Sequence, residues 1–337
     1  MPIDVHAHLL PQSAVRAQRT GDEWFGSLVT TDAEGHPVFE TDGRSQRMGS
    51  PWHYDPPPQR IERMTELGFD RQMVSLLPPL YRYGLPAPTA IDAAQTVNDE
   101  IAGMTRDWPD HFSGLATLPL QDMDASLDEL SRAVGDLGLV GVSAGTHVEG
   151  MHWNDPYLAP ILEAIAEIGC LLLIHPIEVR VKSWVPTGAH LANALGNPFE
   201  STVAFSSFVF GGVLDRLPGL QLLFVHAGGY IPYGIGRMRH AWEARADARS
   251  ACVEPPDNYV RRVYFDSLAH DDRALRYLID VAGSDRVMLG TDYPADMGQL
   301  HAVQQINANP YLSAAEKAAI LDGNAARAIG LHGAEAP

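Results

Sequence analysis

The chain opens with two histidines one residue apart, in Ile3-Asp4-Val5-His6-Ala7-His8-Leu9-Leu10. Read as a short apolar strand, residues 2–10 put His6 and His8 on one face and Val5 and Ala7 on the other, because side chains alternate along a strand. Two imidazoles side by side at a strand end are a ready pair of metal ligands. Later apolar stretches also end in titratable side chains: 170–176 carries His175, 220–226 ends in His226, and 286–292 ends in Asp292. One imidazole at a strand end is usually a structural hydrogen-bonder. Four histidines and an aspartate all placed that way ask for a common role. A buried carboxylate at Asp292 would need a cation or several donors to stay ionised. Three imidazoles and a carboxylate, with one position left for water, make a catalytic set suited to zinc.

The elements that must position these residues are legible as an alternation. Apolar strands are expected at 2–10, 71–77, 112–119, 139–143, 170–176, 220–226, 263–268 and 286–292. Helices are expected between them, at 56–68 with Ile61, Met64 and Leu67 on one face, at 89–108, at 124–138 capped by Asp122 or Asp124, at 155–169 and at 271–282. Nearly continuous apolar strands separated by helices imply a parallel sheet buried on both faces. Eight such units predict a (β/α)8 TIM barrel, with an open doubly wound sheet as the rival; no Gly-x-Gly-x-x-Gly follows a strand, which disfavours dinucleotide binding. Residues 12–55 are polar and glycine-containing and too long for an ordinary connection. They read as an early insertion or lid after the first strand, with 36–40 as one arm of a small hairpin. A C-terminal helical cap is expected at 314–329, and residues 1–337 read as one domain. In a barrel the C-terminal ends of all strands share one mouth, where active sites lie.

Composition narrows the partners. With 24 basic against 42 acidic residues the formal charge is −18, which repels phosphate backbones and anionic lipid; no nucleic-acid or membrane partner is expected. An anionic substrate is compatible with this charge, since a few arginines and a metal reverse the field inside one pocket. The two cysteines, Cys170 and Cys252, suit a reducing compartment. No signal peptide precedes the first strand and no apolar run has membrane-spanning length, so a cytoplasmic location is expected.

Several stretches together resemble the amidohydrolase superfamily, and within it the metal-dependent branch typified by 2-amino-3-carboxymuconate-6-semialdehyde decarboxylases. They are Ile3-Asp4-Val5-His6-Ala7-His8, Gly114-Leu115-Ala116-Thr117-Leu118-Pro119, Gly145-Thr146-His147, Ile174-His175-Pro176, Phe224-Val225-His226-Ala227-Gly228-Gly229, Gly236-Arg237 and Leu289-Gly290-Thr291-Asp292-Tyr293-Pro294. The resemblance runs from Pro2 to about Gly330 and is weakest between residues 12 and 55. It implies a TIM barrel holding one divalent metal, normally zinc with manganese as the alternative, on His6, His8, His175 and Asp292, and no organic cofactor. It makes His226 the catalytic acid/base and Asp292 both ligand and catalytic residue. Other branches bind two metals through a carboxylated lysine; here the only lysines are Lys182 and Lys317, neither at a strand end.

The implied reaction is non-oxidative decarboxylation of a small unsaturated or aromatic carboxylate, of the aminocarboxymuconate semialdehyde or the hydroxy- or aminobenzoate type. A divalent cation lowers the pKa of coordinated water, and His226 can take up a proton and return one to carbon. Guanidinium groups bind carboxylates bidentately, and the resemblance offers two arginines. Arg237 matches one that reaches the neighbouring subunit's site, which implies a homodimer. Arg47, or alternatively Arg44, falls where a substrate-binding arginine is expected. Two departures bear on the substrate: His190 stands where the family has a tryptophan, which Trp184 could replace only if the loop is re-routed, and Ala295-Asp296 replace phenylalanine and proline. The runner-up is a metal-dependent hydrolase of a lactone, amide or carbon–carbon bond using the same site. A non-catalytic metal-binding barrel is the third reading, which the presence of His226 disfavours.

Overall fold

The structure, a computed structural model, describes residues 1–41, 44–177 and 188–331. Among the described residues twelve strands are formed, in chain order β1 (Ile3–Leu9), β2 (Glu23–Trp24), β3 (Ser27–Thr31), β4 (Pro37–Thr41), β5 (Arg44–Arg47), β6 (Arg71–Leu76), β7 (Phe112–Ala116), β8 (Gly141–Gly145), β9 (Leu171–His175), β10 (Gln221–Phe224), β11 (Tyr264–Asp266) and β12 (Val287–Met288). Eight of them run parallel in the order β1-β6-β7-β8-β9-β10-β11-β12. The last and first strands are joined by Val5 N to Leu289 O (2.9 Å), Asp292 N to His6 O (2.8 Å) and His8 N to Tyr293 O (2.7 Å). The ring is therefore the expected (β/α)8 barrel, with helices such as Pro57–Leu67, Ala87–Asp107, Ala159–Ile168 and Asp272–Ala282 packed outside it.

Local chemistry explains the boundaries. Helix Met123–Ser131 is capped by Asp122, which accepts from Ala125 N, and Asp271 caps Asp272–Ala282 through Arg273 N and Ala274 N. Such side-chain oxygens satisfy the orphan donors of a first turn. Gly68, at φ +87°, ends Pro57–Leu67 in the left-handed conformation that glycine adopts without strain.

Inside the barrel, Ile3, Val5, Met73, Leu115, Leu171, Leu173, Leu223, Val225 and Met288 form one buried cluster. Ala325, Ala326 and Ala328 of the C-terminal helix Asn324–Ala328 join it. The C-terminal cap thus seals the end of the barrel where the strands begin, leaving the other end for chemistry.

The structure corrects one expectation and extends another, the hairpin arm at 36–40, which is present as β4 paired with β3 and β5. Val5 does not share a face with Ala7: it packs with the inner cluster, whereas Ala7 packs with the layer under the helices. The pairing of β1 with β6 shifts register between Asp4 and Ala7, and a bulge of this kind re-aims a side chain. Val5 and His6 therefore both serve the interior, and His8 follows after Ala7. The early insertion is also more ordered than one hairpin. It comprises a helix, Gln12–Thr20, and a four-stranded antiparallel sheet, β2-β3-β4-β5, with Trp24, Val29 and Phe39 buried against the main core. Its strands are too short for their alternation to stand out in sequence.

The insertion ends against the barrel mouth. A side chain at Gly49 would place its Cβ 2.2 Å from Asp296 Cγ, so glycine is required for this approach. Trp52, in the turn Pro51–Tyr54, stacks on Tyr293 with ring centroids 6.0 Å apart, and the Arg63 guanidinium lies 4.4 Å above Trp52.

Candidate active site

At the mouth of the barrel β1 brings His6 and His8, β9 ends in His175, and the loops after β10 and β12 bring His226 and Asp292. Donor atoms of His6, His175, His226 and Asp292 lie within 4.8 Å of one another. His8 completes the group, its Nε2 3.0 Å from Asp292 Oδ1. Two more imidazoles stand close to the same carboxylate, His6 Nε2 at 3.4 Å and His226 Nε2 at 3.5 Å. The rings of His6 and His175 meet edge to face at 5.2 Å.

The hydrogen bonds behind the rings settle their tautomers. His6 Nδ1 lies 2.7 Å from the carboxylate of Asp266, His175 Nδ1 lies 2.5 Å from the carbonyl of Pro176, and His8 Nδ1 lies 3.1 Å from Ser75 Oγ. A carboxylate and a carbonyl only accept, and the Ser75 hydroxyl donates to Ala7 O. Each Nδ1 therefore carries the proton, leaving Nε2 with a lone pair. Those three Nε2 atoms are buried and make no hydrogen bond, a costly state for polar atoms. Three imidazole lone pairs beside a carboxylate are a donor set that fits a divalent metal.

His226 differs. Its Nδ1 is buried with no partner, while its Nε2 stands 3.5 Å from Asp292 Oδ2. Its backbone and that of Asp292 adopt φ +56° and +58°, a conformation that non-glycine residues enter only when the surroundings enforce it. Gly229, which follows His226, is needed because a Cβ there would meet Pro198 O at 2.1 Å.

Electrostatics follow from this burial. Burial favours the neutral form of His6, but Asp292 and Asp266 outweigh it and raise its pKa. His8 falls to about 4 and His175 is held well below its ordinary value, both chiefly through burial. Asp292 is held well below the usual carboxylate range, because the neighbouring His6, His226 and His8 overcome its desolvation.

Sequence reasoning assigned no role to Asp266, yet it ties the site together. Fully buried, it accepts from His6 Nδ1 and also from His226 N (2.9 Å), Ala227 N (2.6 Å) and Leu268 N (3.1 Å). One carboxylate thus orients the His6 imidazole and holds the turn that carries His226. The available signal was its position at the end of β11, as Asp292 follows β12. Behind β1 a second carboxylate, Asp4, accepts from Thr291 Oγ1 (2.6 Å), Thr291 N (3.0 Å), Gln72 Nε2 (3.0 Å) and His6 N (3.1 Å). Arg60 donates to Gln72 Oε1 (2.7 Å) and His8 O (2.8 Å).

The residues expected to bind substrate are not gathered into this cluster within one chain. Arg47 is tied up in the small sheet, donating to Asp32 Oδ2 at 2.5 Å and Glu34 Oε2 at 2.6 Å. Those two carboxylates claim the guanidinium intended for a substrate. The Arg44 side chain, Trp184 and Lys182 lie outside the described residues. His190 is exposed in a turn, at φ +57°. Arg237 is exposed on helix Ile231–Ala244. Lys317 donates to Asn307 O, away from the barrel mouth. Asp296 is exposed and Ala295 half-buried beside the insertion. A cavity of about 450 Å³ opens next to His226, walled by Asn197, Tyr230, Leu268, His270, Tyr277 and Met297. Among the described residues no helix is long and apolar enough to cross a membrane.

Fold and donor set define the class: a (β/α)8 barrel enzyme with a divalent-metal site at its mouth. The chain belongs to the amidohydrolase family, whose family model matches residues 3–331. It is 36% identical over 335 residues to a 2-amino-3-carboxymuconate-6-semialdehyde decarboxylase of Dictyostelium discoideum, covering 98% of this chain and 92% of the relative. The apo crystal structure of Metarhizium anisopliae IDCase superposes with a TM-score of 0.85 at 26% identity, covering 98% of this chain and 97% of the other. The 5-carboxyvanillate decarboxylase of Sphingomonas paucimobilis superposes with a TM-score of 0.82 at 25% identity over 98% of both chains.

Proposed function

We propose that this protein is a metal-dependent carboxy-lyase that removes CO2, without oxidation, from a small unsaturated or aromatic carboxylic acid. The observation that carries this reading is the division among the imidazoles. His6, His8 and His175 have their protons locked on Nδ1, while His226 keeps a free Nδ1 beside the same carboxylate. The relatives named above act on a muconate semialdehyde and on an aromatic acid, and we take that range as the substrate class here.

His6, His8, His175 and Asp292 would hold the metal, which supplies Lewis-acid polarisation and a fixed anchor for the acid. Zinc is the ion that a set of three histidines and one aspartate suits best, with manganese the alternative. His226 delivers a proton to the carbon that bears the carboxylate. As that carbon–carbon bond breaks, its electron pair returns to the ring or conjugated chain, CO2 leaves, and the added proton remains in place of the carboxylate. Asp266 keeps His226 in register through two backbone hydrogen bonds. Burial of the cluster excludes bulk water and strengthens each electrostatic contact.

Arg237 supplies the anion clamp in a homodimer. It shares a helix face with Tyr233, which is 87% exposed, and residues four apart project together. The two free cysteines fit a cytoplasmic setting. The test is a product assay on metal-loaded protein with muconate-type and hydroxybenzoate-type acids. Release of one CO2 per acid consumed is expected; uptake of water without CO2 would instead indicate hydrolysis.

A further inference from the structure

His53, in the turn Pro51–Tyr54, is a buried histidine that the metal and the proton-transfer step leave unused. It is 5% exposed, and its Nδ1 is sealed from solvent without a hydrogen-bond partner. Buried polar atoms in folded proteins are nearly always paired. At His6, His8 and His175 the protein itself supplies the Nδ1 partner; at His53 it supplies none. The position is built rather than incidental. The turn Pro51–Tyr54 is capped by Ser50 Oγ, which accepts from Trp52 N at 3.1 Å. Trp52 stacks on Tyr293, and Gly49 fits against Asp296. These contacts, at Gly49 and Trp52 just before His53, pin the turn to the segment that directly follows Asp292, so the insertion sets the imidazole within electrostatic reach of His8 and Asp292.

We propose that His53 is a specificity-determining residue, whose unpartnered Nδ1 hydrogen-bonds a hydroxyl or amino substituent of the acid bound at the metal. The proposal rests on the decarboxylase reading and names the substrate feature which that reading leaves open. Burial first, then the neighbouring His8 and the Arg60 guanidinium, push the ring down to about 3, against a smaller opposing effect of Asp292. A neutral ring offers one donor and one acceptor. It therefore complements a hydroxyl or amine and is a poor clamp for a second carboxylate.

The test compares the parent with His53→Phe, which fills the space without nitrogen, and His53→Gln, which keeps an amide near the ring edge. Metal content is measured first, by elemental analysis. Binding of benzoate, 2-hydroxybenzoate, 2,6-dihydroxybenzoate and 2-aminobenzoate to metal-loaded protein is then measured by calorimetry, and CO2 release is followed in parallel. Full metal content is expected in both variants. His53→Phe should weaken the hydroxy and amino acids by roughly 10- to 100-fold, and benzoate by less than about threefold, with partial rescue in His53→Gln. An unchanged preference for the substituted acids, or metal loss in both variants, overturns the proposal. A parent that binds these acids without releasing CO2 overturns the decarboxylase reading alone, and a parent that binds none of them overturns both.

Discussion

At the scale of single residues, what each histidine contacts on its far side decides its task. His175, with Nδ1 committed to Pro176 O, can only offer Nε2 to the metal, so His175→Ala should lose metal and activity together, as read by elemental analysis. His226→Ala should retain stoichiometric metal while kcat falls by roughly 10²–10⁴; metal loss there would make His226 a ligand. Asp266→Asn places an amide against His6 Nδ1 and against the backbone donors of His226 and Ala227. At least one donor then faces another donor. A drop of roughly 10- to 100-fold in metal affinity is expected from this loss behind a ligand, measurable by competition with a chelator.

At the scale of elements, the join between β12 and β1 is where fold and site depend on one another. Gly290 allows this join, because a Cβ there would stand 2.6 Å from Asp266 Cβ and 3.1 Å from His6 Cβ. Thr291 locks it through Asp4. Burial raises the Asp4 pKa to about 6 despite opposing hydrogen bonds from Thr291, Gln72 and the His6 backbone. A raised carboxyl pKa means that the folded state holds the proton longer than the unfolded chain does. Its contribution to stability is therefore full below about 4 and lost as pH rises toward 6. Thr291→Val removes one donor and extends that loss to higher pH. The variant should be less stable by about 1–3 kcal/mol, with a larger deficit at pH 7.5 than at pH 5, as read from denaturant midpoints at the two values. A deficit that does not change with pH would mean that the Asp4 charge plays no part.

At the scale of the whole molecule, a single chain brings the metal donors together but leaves Arg237 at the surface. If Arg237 completes the partner's site, an Arg237→Ala chain mixed with a His175→Ala chain should recover part of the activity that each lacks alone. One site of the mixed dimer has an intact metal set and receives an intact Arg237 from its partner. Mixed dimers that form without recovery would confine Arg237 to its own subunit. The small sheet of the insertion adds a further constraint, since it engages Arg47 with Asp32 and Glu34 while holding Trp52 on Tyr293.

The sequence by itself determined the eight strand–helix units and the residue types at the strand ends. Hydrophobic alternation is a local property, and a barrel by construction brings its C-terminal strand ends to one mouth. His6, His8, His175, His226 and Asp292 were legible for that reason, as was the cap at Asp122, one of the two candidates the sequence offered. Only the tertiary structure decided what stands behind and beside them. The His6–Asp266 hydrogen bond spans 260 residues, and no periodicity encodes such a pairing. The bulge that turns His6 inward after Val5, the capture of Arg47 by Asp32 and Glu34, and the burial of His53 likewise arise from packing between distant segments. Propensity and spacing carry no information about those contacts, because their free energies depend on which groups the folded chain brings together.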